Sequence, residues 1–453
     1  MSNRSLAMRM NSASFLARRA TPFASHSHGR SATAHASPTQ PRRATLVLAA
    51  FLILATAFAP AAAATATPKL SNPSKMVANP GDPASLPAVL ITNADKLNGY
   101  IAVKDFTSHF ASFNDPYPPA APTDPMFIQQ NQGASTTGGR GRISGSATTQ
   151  SHAHEYSVFC TVSDPDSQYT ELVKRLGCHT ITLTHTQRSQ PAEWTRVYST
   201  VATFTSATTP IYLLWVPDMH DHSGTDLATA LSSPPSTLAH AVIWSRNGVQ
   251  GPLTDDLTAF SWYRSVEQAA LASSLASRNK LTILRLSFAL ERFLDLAPDI
   301  EDESALRLPI GTQGELIPIS LHDAIWASHT IFQSSGQPNN SPKFKQIMHL
   351  TTRTPMTGAA LAAAASKAFG YPIRFEAISR QEARNLLMSL ENVTPQLATV
   401  LLDVFECARR AGSGCHGVAP DDEVKALLPG REVKSVGWFF EKYRDMFAPG
   451  GGL

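Results

Sequence analysis

One pair in this 453-residue sequence that could do chemistry is an adjacent phenol and guanidinium, Tyr263-Arg264, set in a stretch with helical apolar spacing. A cation beside a phenol favours loss of its proton, so the pair is a candidate general acid. The plainer alternative is a helix face carrying a packed aromatic and a solvated arginine. His220-Asp221-His222 would put two imidazoles on one side of an extended segment, as zinc needs, but brings no third ligand. His152 and His154 sit in a polar stretch with no apolar period and read as solvated loop residues. The four cysteines, Cys160, Cys178, Cys407 and Cys415, include no Cys-x-x-Cys pair and read as ordinary thiols, not as a zinc ribbon or a disulfide framework. Asn339-Asn340-Ser341 and Asn392-Val393-Thr394 have the form of glycosylation acceptors, which matter only to a lumenal domain.

These residues need elements to position them, and the chain supplies an alternation. From Ala88, apolar strand patterns at 88–92, 156–162, 178–184, 210–216, 238–245 and 281–286 alternate with helical patterns at 97–112, 169–176, 193–204 and 256–277. Strands that are apolar nearly throughout, such as IYLLWV within 210–216, belong inside a parallel sheet covered on both faces. The alternation predicts an α/β fold, a doubly wound parallel sheet of Rossmann type with right-handed crossovers, over 88–300. A polar, glycine-rich stretch at about 113–154 interrupts it as a disordered surface insertion. Residues 301–453 read as a smaller mixed, mainly helical lobe whose elements interleave with the main sheet. In such sheets ligands bind beyond the carboxyl ends of the strands.

The amino terminus has a different character. Residues 1–43 hold seven Arg, no Lys and no acid, and the first acidic residue is Asp82. The remaining chain carries 31 basic against 35 acidic residues, which excludes a basic nucleic-acid surface. Residues 1–43 read as a disordered targeting segment, and 44–64, ATLVLAAFLILATAFAPAAAA, as a transmembrane or signal-anchor helix, since a span needs about 20 apolar residues. The expected localisation is a single-pass membrane protein. Secretion after signal cleavage and a mitochondrial route are the alternatives. Residues 65–87, rich in Pro and small polar residues, form a linker.

Several segments together resemble the NmrA-like branch of the atypical short-chain dehydrogenases. LTILRLSFALERFL (281–294), GELIPISLHDAIWASHTIF (314–332), IMHLTTRTPMTGAALAAAASKAFGYPIRFEAIS (347–379) and LLPGREVKSVGWFFEKYRDMF (427–447) carry the likeness most strongly. VSDPDS (162–167) and WYRSVEQAAL (262–271) add weaker pieces. The resemblance spans roughly 88–450 apart from the insertion. It implies an NAD(P)-binding domain with the smaller lobe on the substrate side.

The family's Gly-x-x-Gly-x-x-Gly loop falls on Asn93, Lys96 and Gly99, after Thr92, so only the last glycine remains. Those glycines allow a tight turn, close approach of the backbone to pyrophosphate, and helix–strand packing. Asn93 tolerates a left-handed backbone and the Lys96 ammonium could meet a phosphate, whereas Asp95 places a negative charge where pyrophosphate would sit. Gly99 is otherwise a simple turn glycine. At the end of the second strand, Ser163 and Asp164 replace the Arg of NADP-preferring members, so NADP is disfavoured more than NAD; Asp164-Pro165 is otherwise a helix-start turn. Val216 and Pro217 after the fourth strand, Ser245 ending the fifth and Arg285 ending the sixth complete the implied cofactor set. Ser245 read alone is a helix cap, and Arg285 a partner in a buried ion pair. The expectation is an NAD(P)-dependent oxidoreductase of an unknown small molecule. The alternative is a catalytically degenerate dinucleotide-sensing or protein-interaction module, its cofactor site lost, tethered to a membrane.

Overall fold

The computed structural model describes residues 86–108, 156–205, 208–218, 223–335, 344–390, 393–411, 417 and 419–447. The chain divides into two units, Met1–Val77 and Ala78–Leu453, and every described residue belongs to the second. Seven parallel strands form the main sheet: β1 (Ala88–Ile91), β2 (Ser157–Val162), β3 (His179–Thr182), β4 (Ile211–Trp215), β5 (Leu238–Arg246), β6 (Leu281–Leu286) and, later in the chain, Ile347–Leu350. From that last strand the order runs β6, β5, β4, β1, β2, β3. The chain starts in the middle and winds outward both ways, so the strand order reverses between β1 and β4. AVLI in β1, IYLLW in β4 and LTILRL in β6 are buried at every position, as a sheet with both faces covered requires.

One face is covered by α1 (Leu97–Ser108) and the helix Leu321–Ser335, whose Phe106 and Phe332 rings meet. Helices Pro191–Phe204, Ser223–Ala230 and Thr258–Leu271 cover the other face through Trp194, Val201, Leu227 and Val266. The expected long helix 256–277 breaks after Leu271. Ser273 ends it by capping a separate short helix, accepting a hydrogen bond from the Ala276 amide. A second core gathers Phe288, Phe293, Phe405, Phe439, Phe440 and Phe447 around the helices Gly358–Phe369, Pro395–Ala411 and Val436–Lys442. Small strands frame it: β7 (Phe288–Ala289) pairs with Pro318–Ile319, Glu315–Leu316 with Met356–Thr357, and Ala305–Leu308 with Arg374–Ala377. Residues 314–320 thus carry two short strands serving different partners. Ile347–Leu350, although late in the chain, lies beside β6 in the main sheet.

Two expectations are corrected. The cysteines are not ordinary thiols: Cys160 and Cys178 form a disulfide across a Cα–Cα distance of 6.3 Å, and Cys407 is also disulfide-bonded. Parallel pairing of β2 with β3, entered through the positive-φ turn at Gly177, brings Cys178 alongside Cys160. The membrane placement is the second: among the described residues no helix is long and apolar enough to cross a membrane. Residues 1–43, 44–64, most of the linker 65–87 and the insertion 113–154 lie outside the described residues. So do His152, His154, the His220-Asp221-His222 segment and the asparagines of both glycosylation sequons.

Candidate functional site

A cleft of about 740 Å³ runs over the carboxyl ends of the strands at the point where their order reverses. Asn93 and Lys96 of the β1–α1 loop and Leu97 and Asn98 at the start of α1 line it. Val216, Pro217 and Asp218 follow β4 on the facing side. His185, Thr186 and Ser189 after β3 line one end, and Arg246, Tyr263, Phe288 and Arg292 the other. Leu397, Val400 and Leu401 of the helix Pro395–Ala411 close it from the second core.

The loop keeps a tight turn without its first two glycines. Asn93 adopts φ 56°, the left-handed conformation a glycine would supply, and donates through Nδ2 to the Val216 carbonyl. The Thr92 hydroxyl accepts from the Val216 amide at 2.9 Å and donates to the Val216 carbonyl at 3.2 Å, tying β1 to β4. Gly99 is needed for close packing, because a Cβ there would lie 2.1 Å from the Asn93 carbonyl oxygen. Lys96, its side chain 46% exposed, reaches the cleft wall 3.8 Å from Asp95.

Asp95 does not face the cleft, as its sequence position suggested. Its buried carboxylate turns to the end of β2, where Oδ2 accepts from the Ser163 amide at 3.0 Å, the Ser163 hydroxyl at 2.5 Å and the Asp164 amide at 3.0 Å. Ser163 and Asp164 therefore meet an internal carboxylate, and neither lines the cleft. The Asp164 side chain accepts from the Asp166 amide in a local turn.

Ser245 and Arg285 meet on Glu267 of the helix Thr258–Leu271. The Ser245 hydroxyl donates to Oε1 at 2.7 Å, and Arg285 makes a bidentate pair through Nε and Nη2 at 2.8 and 2.6 Å. All three are buried, and none lines the cleft. Tyr263 does line it, 8% exposed. Arg264 instead donates to the Val249 carbonyl at 3.0 Å and reaches Thr254 and Asp255, holding the segment after β5.

The cation beside Tyr263 is Arg246, which sequence reasoning passed over because it ended the fifth strand one residue early. Arg246 closes β5 and is 8% exposed. Burial and the neighbouring charge of Arg292 pull its pKa down, while the Tyr263 phenol, a hydrogen-bond partner, opposes the shift. Arg292 itself pairs with Asp295 at 2.9 Å and with the Asn98 side chain. Asp295 is held above the usual carboxylate range by burial, which Arg292 offsets in part. At the far end, burial lowers the His185 imidazole, helped by Arg188. Among the described residues no cluster of ligands suited to a metal ion occurs.

No protein-family model and no curated protein sequence matches the chain. Solved structures do. NmrA, a negative transcriptional regulator crystallised with NADP, matches at 10% identity over 81% of this chain and 98% of its own, with a TM-score of 0.52. The Citrobacter sp. triphenylmethane reductase complexed with NADP(H) matches at 12% identity over 79% and 100%, with a TM-score of 0.51. A nucleoside-diphosphate-sugar epimerase from Staphylococcus aureus matches at 12% over 78% and 99%, with a TM-score of 0.50. The chain therefore has a Rossmann-like α/β fold. Its fold is similar to that of these three proteins over most of the chain.

Proposed function

We propose that the cleft binds a nicotinamide dinucleotide and that the protein is an NAD(P)-dependent oxidoreductase acting on a small molecule. The observation that carries the reading is one continuous cleft at the sheet's switch point, from His185 past the amino terminus of α1 to Tyr263. In this reading the α1 terminus and Lys96 meet the pyrophosphate, and the end near His185 and Ser189 takes the adenine side. Val216 and Pro217 support the nicotinamide side. Bound there, the cofactor would supply or accept a hydride. In this reading Tyr263 is the residue beside the nicotinamide end that holds or gives a proton, at its phenol oxygen, and the helix Pro395–Ala411 keeps water from that end. The end of β2 brings no Arg to meet a 2′-phosphate, which favours NAD over NADP.

Calorimetric titration of the full chain with NADH and NADPH tests the binding. Micromolar binding of NADH, with NADPH about tenfold weaker or more, is expected. No binding of either at millimolar concentration to folded protein would sink the reading. A carbonyl and quinone panel with NADH then tests turnover. A second reading, a protein that binds the dinucleotide without turning it over, is favoured by Lys96 in place of the middle glycine. It predicts binding with no hydride transfer to any member of that panel.

A further inference from the structure

The cationic side chains around the cleft differ in one respect. Arg188 donates to Asp218 at 3.1 Å, and Arg292 is paired with Asp295. In a second cavity of about 750 Å³, Arg380, Arg409 and Arg410 are matched to Asp403, Glu406 and Asp256. Arg246 has no such acid. Among the described residues its Nε and Nη2 meet no partner, although the side chain is more than nine-tenths buried and lines the cleft. An uncompensated buried guanidinium is strongly destabilising in general, so an anion held there would stabilise the fold.

The form of that anion follows from which nitrogens are left over. Nε and Nη2 are the two parallel donors along one edge of the guanidinium, the edge that accepts both oxygens of a carboxylate. This protein shows the match in Arg285, whose Nε and Nη2 hold the two oxygens of Glu267. Tyr263 stands beside Arg246, and the same cleft carries the apolar side chains Phe288, Leu397, Val400 and Leu401 together with the polar Asp226, Thr394 and Gln396.

We propose that the Arg246 end of the cleft binds a carboxylate, and that the substrate is an acid with an aromatic or branched apolar body. The assignment rests on reading the cleft as a dinucleotide and substrate site. It makes Arg246 a specificity residue, with Tyr263 between it and the reacting end of the ligand.

The test is calorimetry on the full chain, with cinnamate and 3-phenylpropanoate as probes against their methyl esters, with and without NADH. The acids are expected to bind and the esters to bind about tenfold to a hundredfold more weakly, the loss of a bidentate charged pair. Arg246→Gln should abolish the preference while leaving NADH affinity unchanged, and Arg246→Lys should keep only part of it. Acids that bind no better than esters, or an Arg246→Gln protein that binds acids as the parent does, would overturn the proposal. So would NADH affinity falling in Arg246→Gln while no acid binds, since Arg246 would then serve the dinucleotide. If Arg246→Gln fails to fold, the acid–ester comparison on the native chain still decides. Acid binding without NADH binding would sink the dinucleotide reading and leave the carboxylate site standing.

Discussion

The Asp95 carboxylate gathers three donors at the β2 end, so Asp95→Ala leaves the Ser163 and Asp164 amides without their acceptor. The expected loss is about 2 kcal/mol of stability, read by denaturant unfolding. Tyr263 is the residue whose replacement separates binding from chemistry. Tyr263→Phe should keep NADH affinity and lower turnover by about a hundredfold or more, since in the proposed reaction the phenol oxygen carries the proton. Unchanged turnover would remove Tyr263 from the reaction. His240 is a structural counterpart. It is buried against the Thr282 hydroxyl at 3.0 Å, and burial pushes its pKa down to about 4. Between the ordinary histidine value near 6.5 and about 4, the unfolded chain binds a proton that the folded chain refuses. Stability from this group is therefore full above the upper value and falls by roughly 3 kcal/mol as pH drops through the window. His240→Gln should flatten the pH dependence of unfolding there; an unchanged profile would show that His240 does not titrate as its burial implies.

At the scale of elements, β1, its loop and α1 act as one piece. Gly99→Ala would push a methyl into the Asn93 carbonyl, which is backbone and cannot swing aside. Loss of dinucleotide affinity with lowered stability is expected, measured by calorimetry and thermal melting. Near-parental affinity would mean that the loop adapts. The disulfide between Cys160 and Cys178 closes an 18-residue separation that includes the helix Gln168–Arg175. A closure of that length stabilises by about 3 kcal/mol, so reduction, or the double serine variant, should lower the melting temperature. The serine caps behave as local rules predict: Ser167 accepts from the Thr170 amide, and Ser379 forms a capping box with Glu382. Such ends were legible because the cap and the residue it bonds lie within one turn. The break at Ser273 was not, since apolar spacing continues through it and only the serine marks the stop.

For the whole molecule, the cleft exists because the second core folds the helix Pro395–Ala411 back over the strand ends of the main sheet. A ligand held by both parts stabilises the folded state as a whole. NADH at a hundredfold excess over its Kd should add about 2.7 kcal/mol to unfolding, seen as a higher melting temperature. The fold class, the main strands and the place of Tyr263 on a helix were all determined by the sequence itself. They follow from apolar periodicity and from local backbone rules that act over a few residues. The tertiary structure alone decided that Asp95 serves the end of β2, that Ser245 and Arg285 converge on Glu267, and that Cys160 pairs with Cys178. It alone decided that the cation beside Tyr263 is Arg246 and not its neighbour Arg264. Adjacent residues on a helix point about 100° apart, whereas residues far apart in the chain meet only where strand order and register bring them together.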